Sequence, residues 1–318
     1  MRQRTTISRA SITAALSLLA IAACTPSATT AGSPQSTSSG DRAATYTVRL
    51  HRPMRVGQRL RVRAEATNDE SRSTKVGAAE PERQASRRRT TIECVEEVLA
   101  VNRVGKPSRV ALAITLLRAE SDQGPLASLP AGTRVELALA PREADTTATI
   151  DGAPVSDAVR AALKDVRAFS ADETTDDEVF GTSIPRAVGA SWEARVGSLR
   201  SSLEETGMLV PEGGIRAMVT LSGLSQREPG APLMTLSGDV TIARMTLSQL
   251  PEGFTSSAMN MRMRLEKTVS ATNLEAPPLF ESSAMESRAE LRGTINGQPV
   301  TIEMNSDTSR RTTFSPAQ

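Results

Sequence analysis

The chain has 318 residues, with 38 Lys plus Arg against 36 Asp plus Glu, one His, two Cys and 2% aromatic residues. That length accommodates one large domain or two small ones, and a formal charge of +2 gives no global argument for nucleic-acid binding. A single imidazole excludes a His-built metal centre, and two cysteines exclude a disulfide-dense scaffold, so stability must come from packing.

In chain order, Arg2, Arg4 and Arg9 precede an apolar stretch from Ile12 to Ala23 that is too short to span a bilayer as a helix. Residues 1–23 therefore read as an export signal. Two processing patterns are open. Cleavage after Ala22, with Ala20-Ile21-Ala22 as the small-residue site, gives an ordinary secreted protein. The run Leu19-Ala20-Ile21-Ala22-Ala23-Cys24 instead resembles the lipobox of bacterial lipoproteins. That resemblance implies cleavage before Cys24, a diacylglycerol on its sulfur and acylation of the new amino group. Each buried methylene contributes about 0.8 kcal/mol, so two or three acyl chains hold a protein on a membrane where one chain would be marginal. Residue 25 is Thr rather than Asp, which in Gram-negative members of that class implies transfer to the outer membrane, facing the periplasm. Removing the signal leaves 35 basic against 36 acidic residues, so the mature chain is near neutral. Residues 24–43 are rich in Ser, Thr, Pro and Gly and read as a disordered tether reaching roughly 25 Å from the lipid surface.

Beyond the tether the periodicity is β almost throughout. Tyr46, Val48 and Leu50 alternate with Thr47, Arg49 and His51, and Leu60, Val62, Ala64 and Ala66 alternate with Arg59, Arg61, Arg63 and Glu65. Further strands are predicted over residues 89–101, 108–118, 133–140, 145–150, 190–203, 214–222, 233–247, 258–271, 284–295, 299–305 and 309–314. Asp151-Gly152 and Asn296-Gly297 supply hairpin turns. One short helix near 157–168 is expected, with Ser156 as its N-cap and Val159, Leu163 and Val166 on one stripe. Asn68 to Ser86 reads as a disordered insertion, and Ala171 to Glu178 as an acidic solvated loop.

A weak internal repeat runs through the body. Pro53-Met54-Arg55-Val56-Gly57 matches Pro185-Arg186-Ala187-Val188-Gly189, and Thr149-Ile150-Asp151-Gly152 matches Thr294-Ile295-Asn296-Gly297, at offsets of 132 and 145 residues. Two related halves, 44–170 and 171–318, each opening on a Pro-x-x-Val-Gly turn and closing near an Asx-Gly hairpin, account for both matches.

The candidate ligand-binding residues are Met259, Met261 and Met263, on one face of a strand whose other face carries Asn260, Arg262, Arg264 and Glu266. Flexible thioethers suit an irregular core or a groove that accepts apolar ligands. Met-x-Met-x-Met also resembles thioether copper sites of exported proteins, although alternate strand residues stand about 6.8 Å apart and must lean together to share Cu(I). Arg49, Arg59, Arg61 and Arg63 share a wet face that either meets anionic polymer or lipid or pairs with Glu65, Glu93 and Glu97. The acidic run Asp172, Glu173, Asp176, Asp177 and Glu178 lacks the spacing of a Ca²⁺ loop. Cys94, beside Ile92 in an alternating segment, reads as a buried inert thiol. His51 is the only possible His general base, and no nucleophile elbow, Ser-x-x-Lys set or P-loop is present.

These features predict an all-β, mainly antiparallel body whose halves form a curved sheet, a half-barrel or packed meanders. The coarse pattern resembles uncharacterised exported β-rich bacterial proteins and, on architecture alone, the half-barrel lipoprotein carriers of the periplasm. The expected function is a non-catalytic cell-envelope lipoprotein, carrying covalent lipid on Cys24 and no other cofactor, that binds an apolar ligand or a partner protein. A purely structural surface module, a Cu(I) binder and a hydrolase are the alternatives.

Overall fold

A computed structural model describes residues 44–317 except 142–144, 168, 170, 172, 206, 227–231 and 251. The export signal, Cys24 and the tether lie outside the described residues, as does Asp172. The strands in chain order are β1 (Thr45–Tyr46), β2 (Arg59–Val76), β3 (Glu82–Val101), β4 (Pro107–Ser121), β5 (Gly124–Leu129), β6 (Arg134–Ala138), β7 (Thr147–Ile150) and β8 (Ala153–Pro154). The series continues with β9 (Arg186–Ala187), β10 (Ser191–Glu193), β11 (Met208–Leu209), β12 (Ile215–Gln226), β13 (Pro232–Leu247), β14 (Phe254–Ser270), β15 (Phe280–Ile295) and β16 (Gln298–Pro316). The helices are α1 (Asp157–Val166), α2 (Asp176–Val179) and α3 (Gly197–Glu205).

The body is all-β and antiparallel, and fourteen of the strands form one sheet that does not close into a barrel. Its order is β10-β12-β13-β14-β15-β16-β2-β3-β4-β6-β7-β8, with β11 on β13 and β5 on β4. The open choice among curved sheet, half-barrel and packed meanders thus resolves to a single continuous sheet. Each half runs in chain order from its Pro-x-x-Val-Gly turn to its Asx-Gly hairpin, and the end of the second half, β16, pairs with the start of the first, β2. The repeat is therefore laid head to tail. Its turns also match in backbone: Gly57 and Gly189 have φ of 83° and 86°, and Asp151 and Asn296 have φ of 51° and 52°. Asx followed by Gly tolerates these left-handed values, which suit the twist of paired strands.

Directly opposed residues share a face, so register assigns every side chain. One face carries Ala64, Ile92 and Leu117 in the first half and Val240, Met263 and Met285 in the second. The other carries the charges: Arg63 meets Glu65 at 3.1 Å and Glu93 at 3.6 Å, and Arg262 meets Asp239 at 2.6 Å. On the Arg face of β2, Arg63 is thus engaged with Glu65 and Glu93, exposed pairs worth little each, while Glu97 meets Arg134 at 3.5 Å.

Helix α1 covers the apolar face of the first half through Val159, Ala162, Leu163 and Val166. Ser156 Oγ caps it by accepting from the Val159 N–H. Two polar clamps then fix it to the sheet. Asp165 accepts from Arg88 at 2.7 Å and from Thr90 at 2.8 Å, and Arg167 donates to both oxygens of Glu96 at 3.0 and 2.7 Å. Burial works against the Arg167 charge, but the Glu96 carboxylate outweighs it and raises the guanidinium above its ordinary pKa.

Several expectations are corrected. Residues 68–86 are the paired outer ends of β2 and β3 joined by a short turn, not a disordered insertion; both faces there are polar, which removes the alternation that marks a strand, as in Asp69 and Arg87, which pair at 3.2 Å. The expected strand 190–203 is β10 followed by α3, because Val196, Leu199 and Leu203 fall at helical spacing. The expected strands 299–305 and 309–314 are one, β16. The body contains α2 and α3 besides the one helix foreseen. Residues 47–52 are an extended strap rather than a hairpin strand, and Arg49 stands apart from the Arg face of β2.

Glu96→Gln removes the carboxylate that meets the Arg167 guanidinium at two nitrogens and is expected to cost about 3–5 kcal/mol in urea unfolding, whereas Arg63→Ala on the wet face is expected to cost no more than about 1 kcal/mol. Equal effects would contradict this division of the two faces.

Candidate functional site

Met259, Met261 and Met263 stand on β14 opposite Met245, Ile242 and Val240 of β13 and Ala289, Ser287 and Met285 of β15. They are 5%, 2% and 4% exposed. Leu203 of α3 and Met208 of β11 pack into the same cluster with Val210, Ile215 and Ala217. The methionine face therefore fills an interior rather than lining an open groove. Six of the twelve buried residues there are methionine, whereas the buried core beneath α1 contains none. On the opposite face of β14, Arg264 meets Glu286 at 3.5 Å, and Asn260 Oδ1 accepts from the Arg244 N–H at 3.1 Å, where a register shift gives Arg244 a φ of 59°.

A third cluster lies under the strap. Val48 and Leu50 pack against Trp192, Val219, Leu221, Met234, Leu236 and Val269, so the segment that follows the tether is folded onto the second half. The strap also touches the first half: His51 Nε2 donates to the Val104 carbonyl at 2.6 Å, and Met54 N–H donates to Gly105 O at 2.8 Å. Gly105 is required here, because φ is +82° and a Cβ would stand 2.6 Å from Pro53 Cβ. The Arg52 side chain is buried and donates through Nη2 to Ser270 O at 2.7 Å, while its Nε and Nη1 have no partner among the described residues. Burial lowers its pKa against the pull of Asp177.

Of the acidic run, Asp176 and Asp177 are tied into this junction, while Glu173 and Glu178 remain exposed. Glu173 meets Arg103 at 2.6 Å, Asp177 Oδ1 accepts from the Leu50 N–H at 2.6 Å, and Glu178 and Thr175 form the capping box of α2. Asp176 meets Lys267 at 2.6 Å, and Lys267 meets Glu281 at 2.9 Å. Burial opposes both charges, yet mutual attraction lowers the Asp176 pKa and raises that of Lys267. Sequence spacing missed this because the partners are 91 residues apart.

The other face carries a groove of about 670 Å³ where the two halves meet, lined by Thr67, Asp69, Glu286, Arg288, Asn305 and Asp307 among others. Glu286, Asp307 and Asp69 stand directly opposite one another on β15, β16 and β2. Like charges so placed are unfavourable, and Arg264 and Arg87 flank the row. No local motif announces a row drawn from three distant segments.

His51 is engaged by a carbonyl, and Cys94 is 3% exposed, its thiol pushed up to about 12 by burial and then by Glu96, against Arg167. Among the described residues no group of three or more His, Cys, Asp or Glu is arranged to hold a metal ion, and no helix is long and apolar enough to cross a membrane.

No family model and no curated protein matches the chain. Among solved structures it is similar to lipovitellin, described for its lipid–protein interactions, at 9% identity and a TM-score of 0.30, covering 83% of this chain and 26% of that one. The chain thus spans about a quarter of lipovitellin's length. An outer membrane channel from Pseudomonas putida F1 aligns at 7% identity and TM-score 0.15 over 88% of this chain and 100% of the channel. The CymD monoaromatic hydrocarbon channel aligns at 6% identity and TM-score 0.14, over 83% and 90%. Scores this low assign neither fold nor function.

The Asp176–Lys267 contact sets a pH window. A depressed carboxylate pKa contributes stability above its unfolded value of about 3.9, and that contribution is lost as pH falls through the lower native value; a raised Lys contributes below about 10.4 and loses it as pH rises through the native value. The hydrogen-exchange protection of residues 176–179, relative to intrinsic rates, is expected to fall below about pH 4, and Asp176→Asn to weaken that acid dependence, the Glu178 carboxylate of the capping box supplying the remainder. An unchanged acid profile in the variant would contradict the assignment.

Proposed function

We propose that the chain is a non-catalytic lipoprotein of the bacterial cell envelope, held on a membrane by acyl chains on Cys24, whose second half binds an apolar ligand. The anchor rests on the lipobox resemblance of residues 19–24 and the tether-like composition that follows. In a Gram-negative cell, Thr25 favours the outer membrane, with the body facing the periplasm.

The observation that carries ligand binding is the contrast between the two interiors. The first is built of Leu, Val, Ile and Ala beneath a clamped helix, which specifies one packing. The second concentrates methionines, whose unbranched side chains repack around varied apolar shapes. The reading contains no catalytic step; the sole imidazole meets the Val104 carbonyl and the Cys94 thiol is buried.

A partner protein at the outer groove is the second reading, favoured by the carboxylate row of Glu286, Asp307 and Asp69. Asp307→Lys is then expected to abolish in-cell cross-links formed at the groove while leaving lipidation intact, and unchanged cross-links would remove it.

Labelled palmitate is expected to enter the wild-type product and not the Cys24→Ser product; equal incorporation would remove the anchor. Native mass spectrometry of signal-less protein carrying Cys24→Ser is expected to show co-purified lipid or uptake of an added apolar compound. A body that takes up neither would remove the ligand reading.

A further inference from the structure

We infer that the rim of the sheet along which the strap runs lies against the bilayer that holds Cys24, and that the opposite strand ends point away from the membrane. The inference rests on the lipid-anchor reading and adds which surface of the body meets the lipid.

The long strands end on two opposite rims. On one, β13, β15 and β2 begin and β14, β16 and β3 end, since Leu233 stands opposite Ser270, Thr268 opposite Phe280, and Leu60 opposite both Pro316 and Glu96. The strap runs along this rim. It starts from β1, which pairs with β9, and packs Val48 and Leu50 against Met234 and Val269 near the ends of β13 and β14. Arg52 then donates to Ser270 O, and Met54 N–H meets Gly105 O in the β3–β4 turn. The turns joining β2 to β3, β13 to β14 and β15 to β16 form the opposite rim.

The three most exposed large apolar side chains among the described residues stand at the two ends of the strap. Ile184 and Val188, 60% and 49% exposed, flank β9 at its start, and Val56, 64% exposed, lies in the turn that follows its end. Leu274, 47% exposed, is brought near Val56 by the ion pair between their neighbours Arg55 and Glu275. The other five exposed large apolar residues are scattered one each over β2, β4, β5, β11 and β12. Scattered single residues of that kind need no explanation, whereas a concentration at one place marks a contact surface. Val56 and Val188 also hold the same position of the internal repeat, immediately before the left-handed Gly57 and Gly189, so the duplicated turn twice presents a β-branched apolar side chain to solvent.

The occupant follows from where the chain leaves the body. Ala44, the first described residue, leads directly into β1, beside Ile184 and Val188. Residues 24–43, with their Ser-, Thr- and Pro-rich composition, span about 25 Å on average between that root and the acyl chains. The strands separating the rims are longer: β2, with 18 residues, extends about 55 Å at about 3.3 Å per residue. The far rim therefore stands about twice the average span from the root, whereas the strap rim stands at it. Charges beside the exposed residues are matched, Arg55 with Glu275 and Arg103 with Glu173, so the contact is apolar in character and does not require anionic lipid.

The test uses the mature lipidated chain in phosphatidylcholine vesicles, with one fluorophore on a cysteine introduced as Val56→Cys, Val188→Cys, Ala79→Cys or Glu252→Cys, and spin-labelled lipid as quencher. Cys94 is buried and stays unlabelled. Labels at 56 and 188 are expected to be quenched at least about two-fold more than those at 79 and 252, as shallow insertion into the interface requires. Equal quenching at the four positions, or stronger quenching at 79 and 252, in protein that floats with the vesicles would overturn the orientation and leave the anchor standing. Protein that carries no acyl chain and does not float would overturn both. Adding Ile184→Asp, an exposed position, to the Val188→Cys chain is expected to reduce quenching of its label with flotation retained; unchanged quenching would show that the tether alone brings this rim near the lipid, and would overturn the apolar contact.

Discussion

The pairing of the last long strand with the first holds this architecture together. β16 runs antiparallel to β2 from Val300 opposite Val76 to Pro316 opposite Leu60 without a break in register. Loop-closure entropy grows only logarithmically with the length of chain enclosed, so a ladder of that extent readily offsets bringing the two ends together. Every later feature follows from it. The halves become one sheet, their apolar faces lie on the same side, and the groove lined by Asp69, Glu286 and Asp307 exists only where the halves join.

Head-to-tail placement of a repeat would ordinarily leave two equivalent open edges. Here the edges are the short strands β8 and β10, each too brief to template another chain along its length. The strap reinforces the join from the other direction, since Val48 and Leu50 belong by sequence to the first half and by packing to the second. Gly105, pressed against Pro53, and the contact of Lys106 Nζ with Thr174 O at 2.5 Å make the same connection through the β3–β4 turn.

Much of the fold was legible because one face of most strands is apolar. The alternation of Leu60, Val62, Ala64 and Ala66, the methionine row, the Ser156 cap and the two Asx-Gly turns all appear where periodicity and turn chemistry put them. Legibility ended where that contrast ends. At Asn68–Ser86 both faces are polar, so the local β2–β3 hairpin shows no alternation, and the other partner of β2, in β16, lies more than 200 residues away, outside any local window. At Gly197–Glu205 a short apolar segment fits either period, and flanking glycines mark the helix only in hindsight. The methionines were recognised as one face, but whether that face is open or covered depends on α3, a distant element. The Asp176–Lys267–Glu281 contact was hidden for the same reason.

The central claim is that the β16–β2 ladder makes the two halves one cooperative unit, and the chain carries its own reporters for it. Trp192, the only tryptophan, is buried in the second half, and Cys94, the only body thiol, is buried in the first. Equilibrium urea unfolding of the Cys24→Ser chain, followed by Trp192 fluorescence and by pulse alkylation of Cys94, is the direct measurement. Coincident transitions with one midpoint are expected; Trp192 and Cys94 becoming exposed at separate midpoints would show that the halves fold independently and that the shared sheet is not what holds them.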